Sequence, residues 1–134
     1  MSEELARFFE PPEAEAMLPE LDGLLAEAQA LLTRLEEARR RLSEPARANG
    51  HVILNDSSAA ARSNETPSIQ TQLEGILQQI QSQGVIVRDI QMGLIDFPAV
   101  RDGQLIFLCW RRGEALRIDW WHPTNTGIAG RRPL

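Results

Sequence analysis

The amino-acid sequence predicts an α+β protein in which a long antiparallel helical hairpin packs on a three- to four-stranded antiparallel β-meander. Three observations carry that prediction. Apolar residues recur at spacings of three and four from Leu18 to Leu42 and again from Ile69 to Ile80, the period of a helix with one buried face. After Gly84 the spacing changes to two, the period of a half-buried strand. Between two of the alternating runs lies Asp102-Gly103, the dipeptide that suits a type I′ hairpin.

The first helix is prepared by Phe8-Phe9-Glu10-Pro11-Pro12. Proline is tolerated only at a helix entrance, and Glu13 and Glu15 suit the positive end of the helix dipole. Pro19 lacks an amide proton, so it is expected to open or kink the segment that follows. From there to Ser43, Leu18, Leu21, Leu25, Ala28, Leu32, Leu35 and Leu42 form a stripe with Arg39 at the one skipped position, while Leu24, Leu31 and Ala38 repeat beside it every seven residues. That widened stripe is the pattern of a helix in a coiled-coil hairpin or bundle. Glu36-Glu37 ahead of Arg39-Arg40-Arg41 adds ion pairs along the helix, and the arginines suit its negative end.

Pro45 ends this helix. Residues 45–66 are rich in turn formers, among them Asn49-Gly50 and Asn55-Asp56-Ser57-Ser58, and they are expected to form a flexible connection, with Asn55 to Glu65 the most mobile part. Thr66 as N-cap and Pro67 as the first helical residue start the second helix. Its apolar face is Ile69, Leu73, Ile76, Leu77 and Ile80, its other face is rich in glutamine, and Gly84 suits the position just past its end. The helical hairpin thus spans 12–84.

The meander and a C-terminal arm occupy 85–134. Strands are expected at Val85–Asp89, Leu94–Val100, Gln104–Arg111 and Leu116–Trp121. With Asp102-Gly103 as the loop, Val100 faces Leu105, Ala99 faces Ile106, Phe97 faces Leu108, Asp96 faces Cys109 and Ile95 faces Trp110. A two-residue turn after Arg111 would place Arg117 and Asp119 on the apolar face, which is costly. A three-residue turn at Arg112-Gly113-Glu114 places Leu116, Ile118 and Trp120 there instead. The second face then carries Asp96, Cys109, Arg117, Asp119 and Trp121. Pro98 requires its strand to be an edge. The tail Trp120-Trp121-His122-Pro123 to Leu134 reads as an arm folded back on the second face, with Trp121 and Ile128 against it. Glycines beside Arg131 and Arg132 could alternatively hold an anion.

At 134 residues the chain has the size of one domain, 1–134. No apolar run approaches the ~20 residues that span a bilayer, so no membrane association is expected. The acidic start Met1-Ser2-Glu3-Glu4 lacks the basic and apolar regions of a secretory signal, and a single cysteine excludes a disulfide framework. A cytoplasmic protein is the expectation. The net charge of −5 argues against nucleic-acid binding, which depends on neutralising phosphates.

Chemistry-bearing residues are few. Asp96 and Arg117 would flank Cys109 across the strands, either as a polar pocket or as a cross-strand ion pair on a half-exposed sheet, and a thiol without a base is no nucleophile by default. His51 and His122 are the only histidines. With Glu114 or Asp96 they could form a two-His, one-carboxylate site, but nothing in their spacing requires it. No metal and no cofactor are expected.

The string Gly93-Leu94-Ile95-Asp96-Phe97-Pro98-Ala99, Leu108-Cys109-Trp110-Arg111, Gly113-Glu114, Trp121-His122, Gly127, Ala129-Gly130-Arg131 and Pro133-Leu134 resembles the bacterial domain-of-unknown-function family DUF2203. The pattern Phe9, Glu15-Ala16 and Leu18 to Leu21, with Asn49-Gly50-His51, is similar to that family as well. Ile128 departs from it, standing where an aromatic is frequent. The resemblance implies one domain and draws attention to Asp96, Glu114, His122, Arg131 and His51. It implies no activity.

The expected function is therefore a non-enzymatic interaction or oligomerisation module, with a second copy or a helical protein as partner. The alternative is a ligand-binding or hydrolytic domain whose polar site lies between the sheet and the C-terminal arm. The sequence names no small-molecule ligand for it.

Overall fold

Helix α1 runs from Pro11 to Ser43, about 50 Å at the usual rise. Its start obeys the capping logic of the sequence: Pro11 is the first helical residue, and the Glu13 carboxylate accepts the Glu10 amide at 3.0 Å. The computed structural model describes residues 7–43, 47–48, 51–52 and 57–134. Pro19 neither opens nor ends a helix; α1 passes through it as one element. The loss of one backbone bond is outweighed by the burial of Ala14 and Leu18 on its N-terminal side with Leu21 and Leu25 beyond it.

The buried face of α1 changes partner along its length. Ala14, Leu18, Leu21 and Leu25 enter one core with Phe9 and the sheet, whereas Ala28, Leu31, Leu35 and Ala38 enter a second core with Ile69 and Leu73. The expected seam through Leu32 and Leu42 is displaced: Leu32 is only half-buried, and Leu42 is 44% exposed. Past Ala28 the neighbour is another helix instead of a sheet, and the seam turns to the neighbouring Leu31 and Ala38 file.

Two short strands, β1 (Arg47–Ala48) and β2 (His51–Val52), pair antiparallel on either side of Asn49-Gly50. Helix α2 spans Ser57–Gln81 and packs against α1. It begins well before the expected Thr66-Pro67 start, so Ser57 to Glu65 are helix and not a flexible connection; the rest of that connection lies largely outside the described residues. Ala59-Ala60-Ala61-Arg62 are strong helix formers, and Arg41 of α1 bonds both oxygens of Glu65 at 3.1 Å. Thr66 is therefore an interior residue and caps nothing. Gly84, at φ 89°, closes the turn after α2 as expected.

The sheet has five strands, β3 (Ile86–Asp89), β4 (Leu94–Arg101), β5 (Gln104–Arg111), β6 (Trp120–Pro123) and β7 (Arg132–Pro133), each beside its sequence neighbour. Asp102 and Gly103 both have positive φ, 51° and 76°, as the type I′ turn demands. The β4–β5 register is the expected one from Leu94↔Arg111 to Arg101↔Gln104. Ile95, Phe97, Ala99, Ile106, Leu108 and Trp110 accordingly face the helices and are buried.

Beyond Arg111 the structure departs from expectation. The chain does turn at Arg112-Gly113, where the Glu114 amide donates to the Arg111 carbonyl at 3.1 Å and Gly113 has φ 102°, but no strand follows at Leu116–Asp119. Residues 112–119 form a connection that is irregular beyond this turn, and β6 starts at Trp120. The Trp110 indole donates to the Ala115 carbonyl at 2.9 Å, and Glu15 of α1 accepts the Ile118 amide at 3.1 Å. These bonds hold the segment in a shape that no strand period describes. Leu116 is exposed, Ile118 is buried, and the tryptophans exchange sides: Trp121 lies opposite Leu108 and joins the core, while Trp120 lies opposite Cys109. Arg117 does not flank Cys109; it pairs with Asp119 at 2.8 Å in solvent.

Pro98 is also not on an edge strand, since β4 lies between β3 and β5. Its position is tolerated because β3 begins opposite Asp96, short of Pro98. On that side the Pro98 carbonyl accepts the Phe9 amide at 2.7 Å, so the missing proline donor leaves no strand partner unsatisfied. The arm does fold back: η1 (Ile128–Gly130) leads to β7, which pairs with β6.

Candidate functional site

The second face of the sheet is where the nominated polar residues gather. Asp96 on β4 lies opposite Cys109 on β5, and Cys109 lies opposite Trp120 on β6. Because β6 starts at Trp120, His122 comes to the same face, two residues along and opposite Phe107. A one-residue slip would have sent it to the other side. Asp96, Cys109 and His122 are 1%, 1% and 2% exposed, so the cluster is withdrawn from water.

His122 Nε2 lies 3.0 Å from both Asp96 oxygens, and Nδ1 lies 2.8 Å from the Pro123 carbonyl. The Cys109 Sγ completes the group: one donor atom from each of the three side chains lies within 4.8 Å of the other two. Arg88 enters from β3, its Nε donating to Asp96 Oδ2 at 2.8 Å. Pairing along β3 skips from Val87↔Ile95 to Asp89↔Leu94, so Arg88 is the extra residue of a β-bulge, a device that re-aims a side chain. Its guanidinium also lies 4.9 Å over the Phe107 ring. Burial, together with the Asp96 charge, pushes the Cys109 thiol up to about 12. Without a bound cation the thiol is protonated and is not a nucleophile.

Glu114 and Arg131 form a second pair. The Arg131 guanidinium donates Nη1 to Glu114 Oε2 at 2.8 Å and Nη2 to Oε1 at 2.7 Å, with a further bond from Nη2 to the Cys109 carbonyl at 3.3 Å. Burial pushes the Glu114 carboxyl up, but the Arg131 bonds, the Arg111 amide and the nearby arginine charges outweigh it, so Glu114 is held below the ordinary carboxylate range. Arg131 also stacks over Trp120 at 5.2 Å. The pair therefore pins the arm to β5 and to the irregular connection.

Of the five residues nominated from sequence, Asp96 meets His122, and Glu114 meets Arg131. The His51 side chain lies outside the described residues. Two participants were missed as site members. The sequence shows no base beside Cys109, and the histidine that approaches its row comes from a strand whose start the sequence does not reveal. Arg88 carries no sequence signal, because a bulge has none. A cleft of about 390 Å³ lies elsewhere, lined by Leu32, Leu77, Val87 and Ile90 together with Arg88 and Asp89. Another of about 420 Å³ is lined by Asp22, Gln29, Arg112, Glu114 and neighbours. Neither is lined by Asp96, Cys109 or His122.

No helix among the described residues is long and apolar enough to cross a membrane. No curated protein and no solved structure matches the chain. The profile of the uncharacterised conserved protein family DUF2203 matches residues 7–134, nearly the whole chain, and the chain belongs to that family.

Proposed function

We propose that this DUF2203 chain is a non-enzymatic, cytoplasmic interaction module that works as a homodimer through the C-terminal half of α1 and the cleft between the helical hairpin and β3. The observation that carries this reading is the apolar cleft walled by Leu32, Leu77, Val87 and Ile90, which opens beside a self-complementary charge run. Leu32, Glu36, Arg39 and Arg40 follow at spacings of three and four on one stripe of α1. Two copies of that stripe, antiparallel about a two-fold axis near Ala38, set Glu36 beside Arg39 and Arg40 of the partner subunit. The same arrangement carries the exposed Leu42 towards the cleft of the partner subunit. A two-fold contact of this kind is the commonest form of homo-oligomer. The site geometry supports the non-enzymatic part: Asp96, Cys109 and His122 are buried and line neither cleft, and Glu114 and Arg131 are engaged with each other.

Sedimentation velocity over a range of concentrations tests the reading. The wild-type chain is expected to dimerise. Glu36→Arg is expected to dissociate it by opposing like charges, and adding Arg39→Glu with Arg40→Glu is expected to restore it. A wild-type monomer at every concentration overturns the proposal, as does a dimer indifferent to these substitutions.

A further inference from the structure

The geometry points to a transition-metal site formed by Asp96, Cys109 and His122, with Zn²⁺ the best-fitting ion. One carboxylate, one thiol and one imidazole, offered from three adjacent strands, are the O, S and N donors that zinc accepts. A tetrahedron with bonds of about 2.0–2.3 Å has edges of roughly 3.3–3.8 Å. The donor atoms here lie within 4.8 Å of one another, the imidazole and carboxylate at 3.0 Å, so small side-chain rotations close them on an ion.

The hydrogen bonds around the cluster are those that orient metal ligands. The Pro123 carbonyl lies 2.8 Å from Nδ1 of His122 and accepts a hydrogen bond from the proton on it, which leaves Nε2 as the ligating nitrogen. A neutral imidazole so held turns its Nε2 lone pair towards a carboxylate 3.0 Å away. Two acceptors at that distance need a cation between them, either a second proton or a metal ion. Arg88 occupies Asp96 Oδ2 at 2.8 Å and leaves Oδ1 for the ion. On binding, the Cys109 S–H bond breaks, its proton goes to solvent, and sulfur donates the freed pair to the metal. Thiolate and carboxylate together then neutralise the divalent charge, and one water would complete the four-coordinate shell that three protein donors leave open. The ion would tie β4, β5 and β6 together where β6 is otherwise short, a structural clamp independent of the proposed dimer.

The full chain is unfolded, refolded with Zn²⁺, Co²⁺ or a chelator, and dialysed before elemental analysis, absorption spectroscopy and thermal melting. Stoichiometric metal is expected, with a sulfur-to-cobalt charge-transfer band and a melting midpoint higher than that of the chelated protein. Cys109→Ala should abolish the band. Cys109→Ala and His122→Gln should each weaken binding by more than the roughly 10- to 100-fold brought by loss of an outer-shell contact. A wild-type protein that retains no metal and melts alike with and without it overturns the assignment, whatever the variants do. Metal retained equally by Cys109→Ala overturns it too.

Discussion

Glu114 shows how one side chain can hold a segment that no regular structure supports. It accepts the Arg111 amide at 2.7 Å and a two-pronged bond from Arg131, so it joins the end of β5 to the C-terminal arm. Glu114→Gln keeps the shape and removes the charge; it is expected to cost about 1.5–3 kcal/mol, the range for hydrogen bonds to charged groups. The sign of the pH dependence follows from the depressed carboxyl. Its contribution is fully present above the ordinary value of 4.5 and is lost as pH falls through the lower folded value. Urea midpoints of wild type and Glu114→Gln should therefore differ above pH 4.5 and converge as pH falls through the lower folded value; a constant difference would contradict the ion pair. The pairing of Glu114 with Arg131 was not legible beforehand, because the residues are separated by a strand whose limits depend on their own contact.

At the scale of elements, two glycines with similar backbones have different roles. Gly93 and Gly103 have φ of 65° and 76°, and each turns the chain between strands. A side chain at Gly103 would meet nothing within 4 Å, whereas a Cβ at Gly93 would lie 2.5 Å from the Arg112 Cβ and 3.2 Å from Gln29 Nε2. Gly93 also accepts the Arg112 amide at 3.0 Å, and Arg112 reaches Asp22 and Gln29 on α1 at 3.0 Å. Gly103→Ala should cost only the left-handed backbone penalty, about 1–2 kcal/mol. Gly93→Ala should cost more, because Arg112 would have to leave both the sheet and the helix. Thermal melts of the two variants rank them, and equal losses would refute the contact. The hairpin at Gly103 was readable from Asp102-Gly103 because a tight turn is local chemistry. The bulge at Arg88 and the start of β6 were not, since each is defined by what lies across from it.

Over the whole molecule, α1 acts as a beam shared by two cores in series. The first joins its N-terminal half to the sheet, and the second joins its C-terminal half to α2, with Ile90 from the turn after β3 packed against it. Leu21, fully buried in the first, should cost roughly 2–5 kcal/mol on truncation to alanine. The second core has a helix on one side only, with Leu42 exposed beyond it, so its backbone hydrogen bonds should open first. In the monomer, at protein concentrations too low for the proposed dimer, amides of 35–42 are expected to exchange faster than those of 18–28. Uniform protection along α1 would mean that the two cores unfold as one.

Periodicity and turn chemistry were enough to establish α+β architecture, the two facing helices, the β4–β5 register and the side of the sheet that packs on them. Those features rest on interactions within a few residues, or on a repeating burial pattern that every residue of an element shares. The path from Arg112 to Asp119, the side taken by each tryptophan and the meeting of Asp96 with His122 were decided only in the folded chain. They depend on single bonds between distant residues, such as Ile118 to Glu15, and a lone long-range contact leaves no period in a sequence.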